Sequence, residues 1–267
     1  MKKILVGAVA LSCLAGQASA LNIVRNINGA GASGSQAGGG GFASLINAAA
    51  DLWQVAIQDT HTVTIDFSWD ALGSGTLGVH NLVSQGGSPN RETGATIRFT
   101  NVSSIDWFMD STPMNSSEYG TYTESSANLG GGTVNTGRHW TGGTGDASGR
   151  YDFFSVALHE IGHALGLSSA NTSFTVGQPV TVTAPRPFAG SVIPTVSGAH
   201  LNIGSALMYP FFNTGERKCM SAADILANAE ISKFSDLNLD PCAVPEPASM
   251  AVLGLGALAA IRRKRSK

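Results

Sequence analysis

Charge is scarce in this 267-residue chain: Asp, Glu, Lys and Arg make up 13% of it, about half the usual quarter. The apolar fraction of 43% is ordinary, so the scarcity does not amount to disorder. A formal net charge of −2 excludes a nucleic-acid binder that works through bulk positive charge. Glycine is plentiful, at 33 residues, but has no three-residue period, which excludes collagen and leaves turns. Cysteine is almost absent, with Cys13, Cys219 and Cys242 the complete set. A long apolar run is missing at the C-terminus as well. The uncharged stretch from Ala248 to Ile261 would span about 21 Å as a helix, against roughly 30 Å of bilayer hydrocarbon, so it is marginal as a permanent anchor.

The two ends read as addresses. Lys2 and Lys3, the apolar stretch Ile4 to Leu14 and the small residues Ala18-Ser19-Ala20 form a secretory signal over residues 1–20. At the other end Val244-Pro245-Glu246-Pro247 precedes the short apolar run, and Arg262-Arg263-Lys264-Arg265 follows it. This tail, residues 244–267, resembles the PEP-CTERM sorting signal. The resemblance implies a Gram-negative bacterium, export to the cell envelope, cell surface or extracellular matrix, and removal of the tail by an exosortase-type partner. Membrane association through the short transmembrane segment would then be transient. Between the ends, residues 21–244 hold nine Lys and Arg against 17 Asp and Glu, a net of −8, which disfavours nucleic acid and anionic lipid. An oxidising compartment and two remaining cysteines make a Cys219–Cys242 disulfide the expectation. A loop of that size contributes about 3 kcal/mol on the chain-entropy estimate.

The body, residues 21–243, reads as one α+β domain. Residues 28–41 are a glycine-rich loop or turn. Phe42 to Ile57 carries an apolar stripe at helical spacing, and Val63 to Trp69 alternates as a half-buried strand. A second strand signal covers Ala95 to Thr100, and from Ser103 to Gly149 only short strand candidates stand among polar residues. Residues 152–167 return to helical spacing. Prolines 179, 185, 187 and 194 forbid a long helix over 170–199. A last helix starts at Ser221, with Asp224 as a capping-box partner.

The chemistry sits in D-F-F-S-V-A-L-H-E-I-G-H-A-L-G-L. His159 and His163, four apart on a helix, lie on one face and can converge on one metal ion. Glu160, beside the first of them, can reach a water there without ligating. The extended string H-E-I-G-H-A-L-G-L resembles the metzincin metalloproteases, and among them the matrixins. That resemblance implies a metzincin-like catalytic domain: a twisted mixed sheet, an amphipathic helix, an active-site helix, a Met-turn and a C-terminal helix. It also implies one catalytic Zn2+, Glu160 as general base, and hydrolysis of protein or peptide substrates.

The third ligand departs from the matrixin pattern, because Ser169 stands where the histidine belongs. His200, eight residues before Met208, keeps the matrixin separation from the Met-turn segment Ala206-Leu207-Met208-Tyr209-Pro210. On this reading residues 167–199 are mostly an insertion, and His200 is the displaced ligand. Lengthening the connection from three residues to 34 costs roughly 2 kcal/mol in closure entropy, small beside the ~10 kcal/mol of structural zinc binding. Glu216 or Glu230, Ser169, or no third protein ligand at all, are the other readings left open. By the same resemblance Met208 forms the floor under the metal, Tyr209 and Pro210 wall the substrate pocket, and the strand at Ala95 to Thr100 pairs with substrate.

His61, His80 and His139 lack matching partners and read as surface or hydrogen-bonded residues. Asp106, Asp110 and Asp146 leave calcium open as a second ion, possible but unsupported, since they show no recognised loop spacing. No cysteine lies between residue 21 and the active helix, so a cysteine-switch propeptide is not expected. The function expected is a secreted zinc-dependent endopeptidase. The alternative is a non-catalytic extracellular matrix or surface protein on a decayed metalloprotease scaffold, motivated by the gap before His200.

Overall fold

Val63, Ile65, Phe67 and Trp69 all point into the core, which is why the strand that carries them lies inside a sheet. The structure, a computed structural model, describes residues 20–31 and 35–242. The signal (except Ala20) and the tail therefore lie outside the described residues. The main sheet has the order β1-β3-β5-β4. Strands β1 (Leu21–Asn28), β3 (His61–Asp70) and β5 (Arg91–Thr100) are parallel, and β4 (Gly78–Gly86) runs antiparallel along the outer edge. Parallel neighbours need a crossover, and helix α1 (Phe42–Ala56) supplies it between β1 and β3. Its stripe of Leu45, Ile46, Ala49, Leu52, Trp53 and Ala56 is buried.

Helix α2 (Phe153–Ala164) packs against α1 and under β4 and β5. Phe153 sits in an aromatic cluster with Phe42 and Phe99, at ring separations of 5.5 and 4.7 Å. Three short strands, β2 (Gln36–Ala37), β6 (Trp107–Phe108) and β9 (Tyr151–Asp152), pair in parallel beside this core. The glycine-rich 28–41 stretch is thus partly structured. A Cβ on Gly40 would stand 2.3 Å from the Asp110 carbonyl oxygen, so only glycine lets the two chains approach.

Residues 103–149 hold more structure than their composition announced. Strands β7 (Tyr119–Asn128) and β8 (Thr133–Gly143) form a long hairpin, with β14 (Arg217–Cys219) on the other side of β8. β7 is exposed along nearly its whole length, so it has no apolar alternation to reveal it. The expected insertion is a folded layer as well. It carries the ladders β10 (Val180–Thr181) with β11 (Val192–Ile193) and β12 (Thr195–Val196) with β13 (His200–Leu201). Phe174, Val182 and Ile193 bury a second apolar cluster against Leu226 and Ala227 of helix α3 (Ala222–Ser232).

Ser221 caps α3. Its hydroxyl oxygen accepts from the Asp224 amide, and Asp224 Oδ2 accepts from the Ser221 amide at 2.8 Å. Arg217 is buried between two carboxylates, donating to Asp110 at 2.7 Å and to Asp152 at 2.8 Å. Asp110, considered above for calcium, is committed to this pair. Cys219 is bonded to Cys242, with Cα atoms 6.3 Å apart. Among the described residues no helix is long and apolar enough to cross a membrane, so the transmembrane expectation finds no support in them.

Candidate active site

Helix α2 is fixed at both ends. At its start the Asp152 carboxylate accepts from the Ser155 amide at 3.1 Å and is itself gripped by Arg217. At its end a Cβ on Gly166 would stand 3.0 Å from Ser232 Oγ and 3.1 Å from the Asn228 carbonyl, so α3 packs directly on the turn. Asn228 Oδ1 then accepts from the Leu167 amide at 3.1 Å, where the insertion begins.

Three imidazoles converge above this helix. One ligand atom from each of His159, His163 and His200 lies within 4.8 Å of the others. The β12–β13 hairpin brings His200 back to the helix from the far end of the insertion. Its ring centre is 5.2 Å from that of His159 and 4.9 Å from that of His163. Each ring spends Nδ1 on a backbone carbonyl: His159 on Leu207 at 2.8 Å, His163 on Leu167 at 2.5 Å and His200 on Ser197 at 3.2 Å. A carbonyl only accepts, so every Nδ1 carries the proton and every Nε2 keeps a lone pair.

The Nε2 atoms of His159 and His163 stand 3.1 Å apart with no proton between them. Two lone pairs at that distance repel unless a cation serves both. Zn–N bonds of about 2.0–2.1 Å in a tetrahedral site place the two nitrogens about 3.3 Å apart. Three neutral imidazoles are also a donor set that suits zinc rather than calcium. The residues present therefore fit a zinc ion. Electrostatics agrees: burial, then the neighbouring His200, lowers the His159 pKa to about 3. Burial likewise holds His163 well below, and His200 below, the ordinary imidazole value.

Glu160 lies in the cleft against Gly78 of β4. A Cβ on Gly78 would come within 2.7 Å of Glu160 Cγ and Oε1, so the bare strand is what leaves room for the carboxylate in this position. Burial alone raises the Glu160 pKa to about 8. Its carboxylate takes no hydrogen bond among the described residues and lines both cavities of the cleft. One cavity, about 360 Å3, lies on the His159 side between Leu77, Tyr151, Val156 and the segment Pro210 to Phe212. The other, about 270 Å3, runs beside His163 along Gly78 to Leu82.

Under the rings, Met208 occupies space that only glycine leaves free on α2: a Cβ on Gly162 would lie 2.5 Å from Met208 Sδ. Asp224 accepts from the amides of Leu207 at 3.2 Å and Met208 at 2.9 Å. Pro210 lines the larger cavity, whereas Tyr209 is not among its lining residues; its ring packs on Phe211, with Lys218 Nζ 5.1 Å from the ring centre.

Glu216 is paired with His139 at 3.3 Å, and Glu230 with Arg186 at 2.8 Å, away from the three rings. Ser169 lines the smaller cavity. The strand at Ala95 to Thr100 is an inner strand, between β3 and β4, so β4 and not β5 offers the edge to a substrate. Gly78, Phe211 and Phe212 escaped the sequence reading, which gave Asp224 only its capping role and not its bonds to Leu207 and Met208. An isolated glycine inside the strand-like run Leu77-Gly78-Val79-His80 was the one available signal of a close approach.

The fold of this chain, with its three-histidine cleft, is metzincin-like. Comparison with known families agrees: a matrixin family model matches residues 54–186, just under half of the chain, which is similar to the matrixins over that segment. A PEP-CTERM protein-sorting motif matches residues 243–265, which marks the chain for export to the envelope or surface of a Gram-negative cell. No curated protein matches the chain. The matrixin match stops short of His200 and Met208, whose place in the site rests on geometry.

Proposed function

We propose that the protein is a zinc-dependent endopeptidase acting on peptide or protein substrates outside the inner membrane. In this reading His159, His163 and His200 hold zinc, Glu160 is the general base and Met208 is the floor. The chain divides into a signal (1–20), a catalytic domain (21–243) and a sorting tail (244–267) processed by an exosortase-type enzyme. The observation that carries the proposal is the convergence of three unprotonated Nε2 atoms beside an unpartnered, buried carboxylate.

When bound, zinc supplies Lewis acidity, bringing the pKa of a water toward about 7 and polarising the scissile carbonyl. The chain's own residues do the rest. The free edge of β4 aligns an extended peptide by strand addition. Glu160 Oε1, held at Gly78 over the cleaved bond, takes a proton from the attacking water and passes it to the leaving amine. The cavity walled by Pro210, Phe211 and Phe212 receives a side chain next to that bond. The gap before His200 motivated a non-catalytic reading; the nearness of its ring to the other two favours the enzyme. Metal analysis together with casein digestion tests this: one zinc per chain, cleavage by the wild type, and no cleavage by Glu160→Ala are expected. One zinc with no cleavage of any peptide pool overturns it.

A further inference from the structure

The cleft differs on the two sides of Glu160. Along β4 beyond Gly78, the smaller cavity runs to Leu82 and meets Ser168, Ser169 and Ala170. These residues open the insertion, and they leave the floor of the cleft where α2 ends. From there the chain rises to the tip of the β4–β5 hairpin. Gln85 Nε2 donates to the Ala170 carbonyl at 3.1 Å, and Gln85 Oε1 accepts from the Thr172 amide at 3.1 Å. Asn90 Nδ2 donates to Thr172 Oγ1 at 2.6 Å, and Ser173 Oγ donates to the Asn90 carbonyl at 3.1 Å. Residues 168–173 thus run from the end of α2 to the tip of the β4–β5 hairpin, beside the end of the cavity that Leu82 lines.

We propose that this strip bars the groove, so that the enzyme preferentially removes short peptides, of up to about four residues, from the amino ends of its substrates. The inference rests on the peptidase reading above and restricts it: bonds within about four residues of an amino end are preferred, and internal bonds are cut more slowly. Its length comes from the strand: Glu160 marks the cleaved bond at Gly78, and four strand steps to Leu82 cover about 13 Å. Its polarity comes from pairing. An added strand is more stable antiparallel to β4 than parallel to it, which places the amino-terminal side of the substrate toward Leu82 and the bar. The carboxyl-terminal side then leaves past Phe211, where the larger cavity opens.

The test takes a peptide that the zinc-loaded protein cuts, or, where none is cut, one that zinc-loaded Glu160→Ala binds, and extends it at one end at a time. An amino-terminal extension of about eight residues should lower kcat/KM about tenfold or more, and the same extension at the carboxyl end should change it little. Gln85→Ala combined with Asn90→Ala, checked for an unchanged melting temperature, should restore most of the loss. The same peptides are titrated by fluorescence anisotropy into zinc-loaded Glu160→Ala, where the amino-terminal extension should weaken binding by a similar factor. Equal handling of both extensions, a penalty at the carboxyl end, or no binding at any length each overturns the proposal. Length-dependent binding to Glu160→Ala with an inactive wild type would instead uphold the barred cleft and reject the peptidase reading.

Discussion

The Met208 amide donates to Asp224 Oδ1 at 2.9 Å, so the turn beneath the three histidines hangs from the first turn of α3. The same carboxylate accepts from the Leu207 amide at 3.2 Å, and the Leu207 carbonyl accepts from His159 Nδ1 at 2.8 Å. One buried aspartate thereby sets both the floor and the orientation of a ring. Asp224→Ala leaves several buried donors unmet, at about 1–3 kcal/mol each, so a loss of about 3–5 kcal/mol is expected in urea unfolding. Asp224→Asn keeps one acceptor oxygen and should lose less. Zinc affinity should fall in both; unchanged affinity in Asp224→Ala would deny the aspartate any part in the site.

Gly78→Ala separates the proposed role of the Glu160 carboxylate from its part in the fold. The new methyl group meets the far end of the Glu160 side chain, within 2.7 Å of Cγ and Oε1, rather than backbone. The carboxylate can swing away at little cost in stability, and the urea midpoint should move by less than about 1 kcal/mol equivalent. Displacing a reacting group by an ångström costs about a hundredfold in rate, so kcat should fall by that order with zinc content unchanged. A variant as active as the wild type would move the general base elsewhere.

The parts of the molecule legible in the sequence are those whose pattern is local. Phe42 to Ala56 and Val63 to Trp69 announce themselves because one face is apolar and the period is 3.6 or 2. His159, Glu160 and His163 are legible because one helical turn fixes their spacing. β7 was not, since strand pairing with β8 satisfies its backbone while its side chains face water. β4 escaped in the same way: most of it is only half-buried or exposed, and its role comes from being last in the sheet. Asp224 shows the limit most clearly. Its capping role follows from Ser221 three residues earlier, but its bonds to Leu207 and Met208 depend on how α3 docks.

The pH profile of the metal-free protein follows from opposed groups in one cleft. His159, lowered to about 3, and His163, held well below the ordinary imidazole value, stay neutral in the folded chain while their unfolded counterparts protonate below about 6.5, and His200 is shifted in the same direction. The unfolded state then binds more protons, so stability is lost as pH falls below 6.5, at up to about 1.4 kcal/mol per pH unit for each of the two fully buried histidines, with His200 adding in the same direction. Glu160 works in the other direction: raised to about 8 from 4.5, it keeps a proton that the unfolded chain releases, and stability falls as pH rises through that interval. Three histidines outweigh one glutamate below 6.5, and above it the glutamate acts alone. Urea midpoints of chelator-treated protein should therefore peak between about pH 6 and 7. A midpoint still rising at pH 8 contradicts the buried, unpaired state of Glu160.

Zinc should change stability and should do so through His200. Ligand that binds only the folded state stabilises it by about 2.7 kcal/mol at a hundredfold excess over Kd. For a domain of this size that corresponds to a melting-temperature rise of roughly 5–10 °C. His200→Ala removes the one ring that the insertion brings back, leaving two donors on α2, so both the rise and the bound zinc should be lost. The fold should survive, because His200 is only partly buried and sits on a two-residue ladder with Val196. Circular dichroism of the metal-free variant should then match the metal-free wild type. If His200→Ala instead keeps one zinc and the full thermal shift, the ion is held by a donor other than the third ring, and the long insertion has no part in the metal centre.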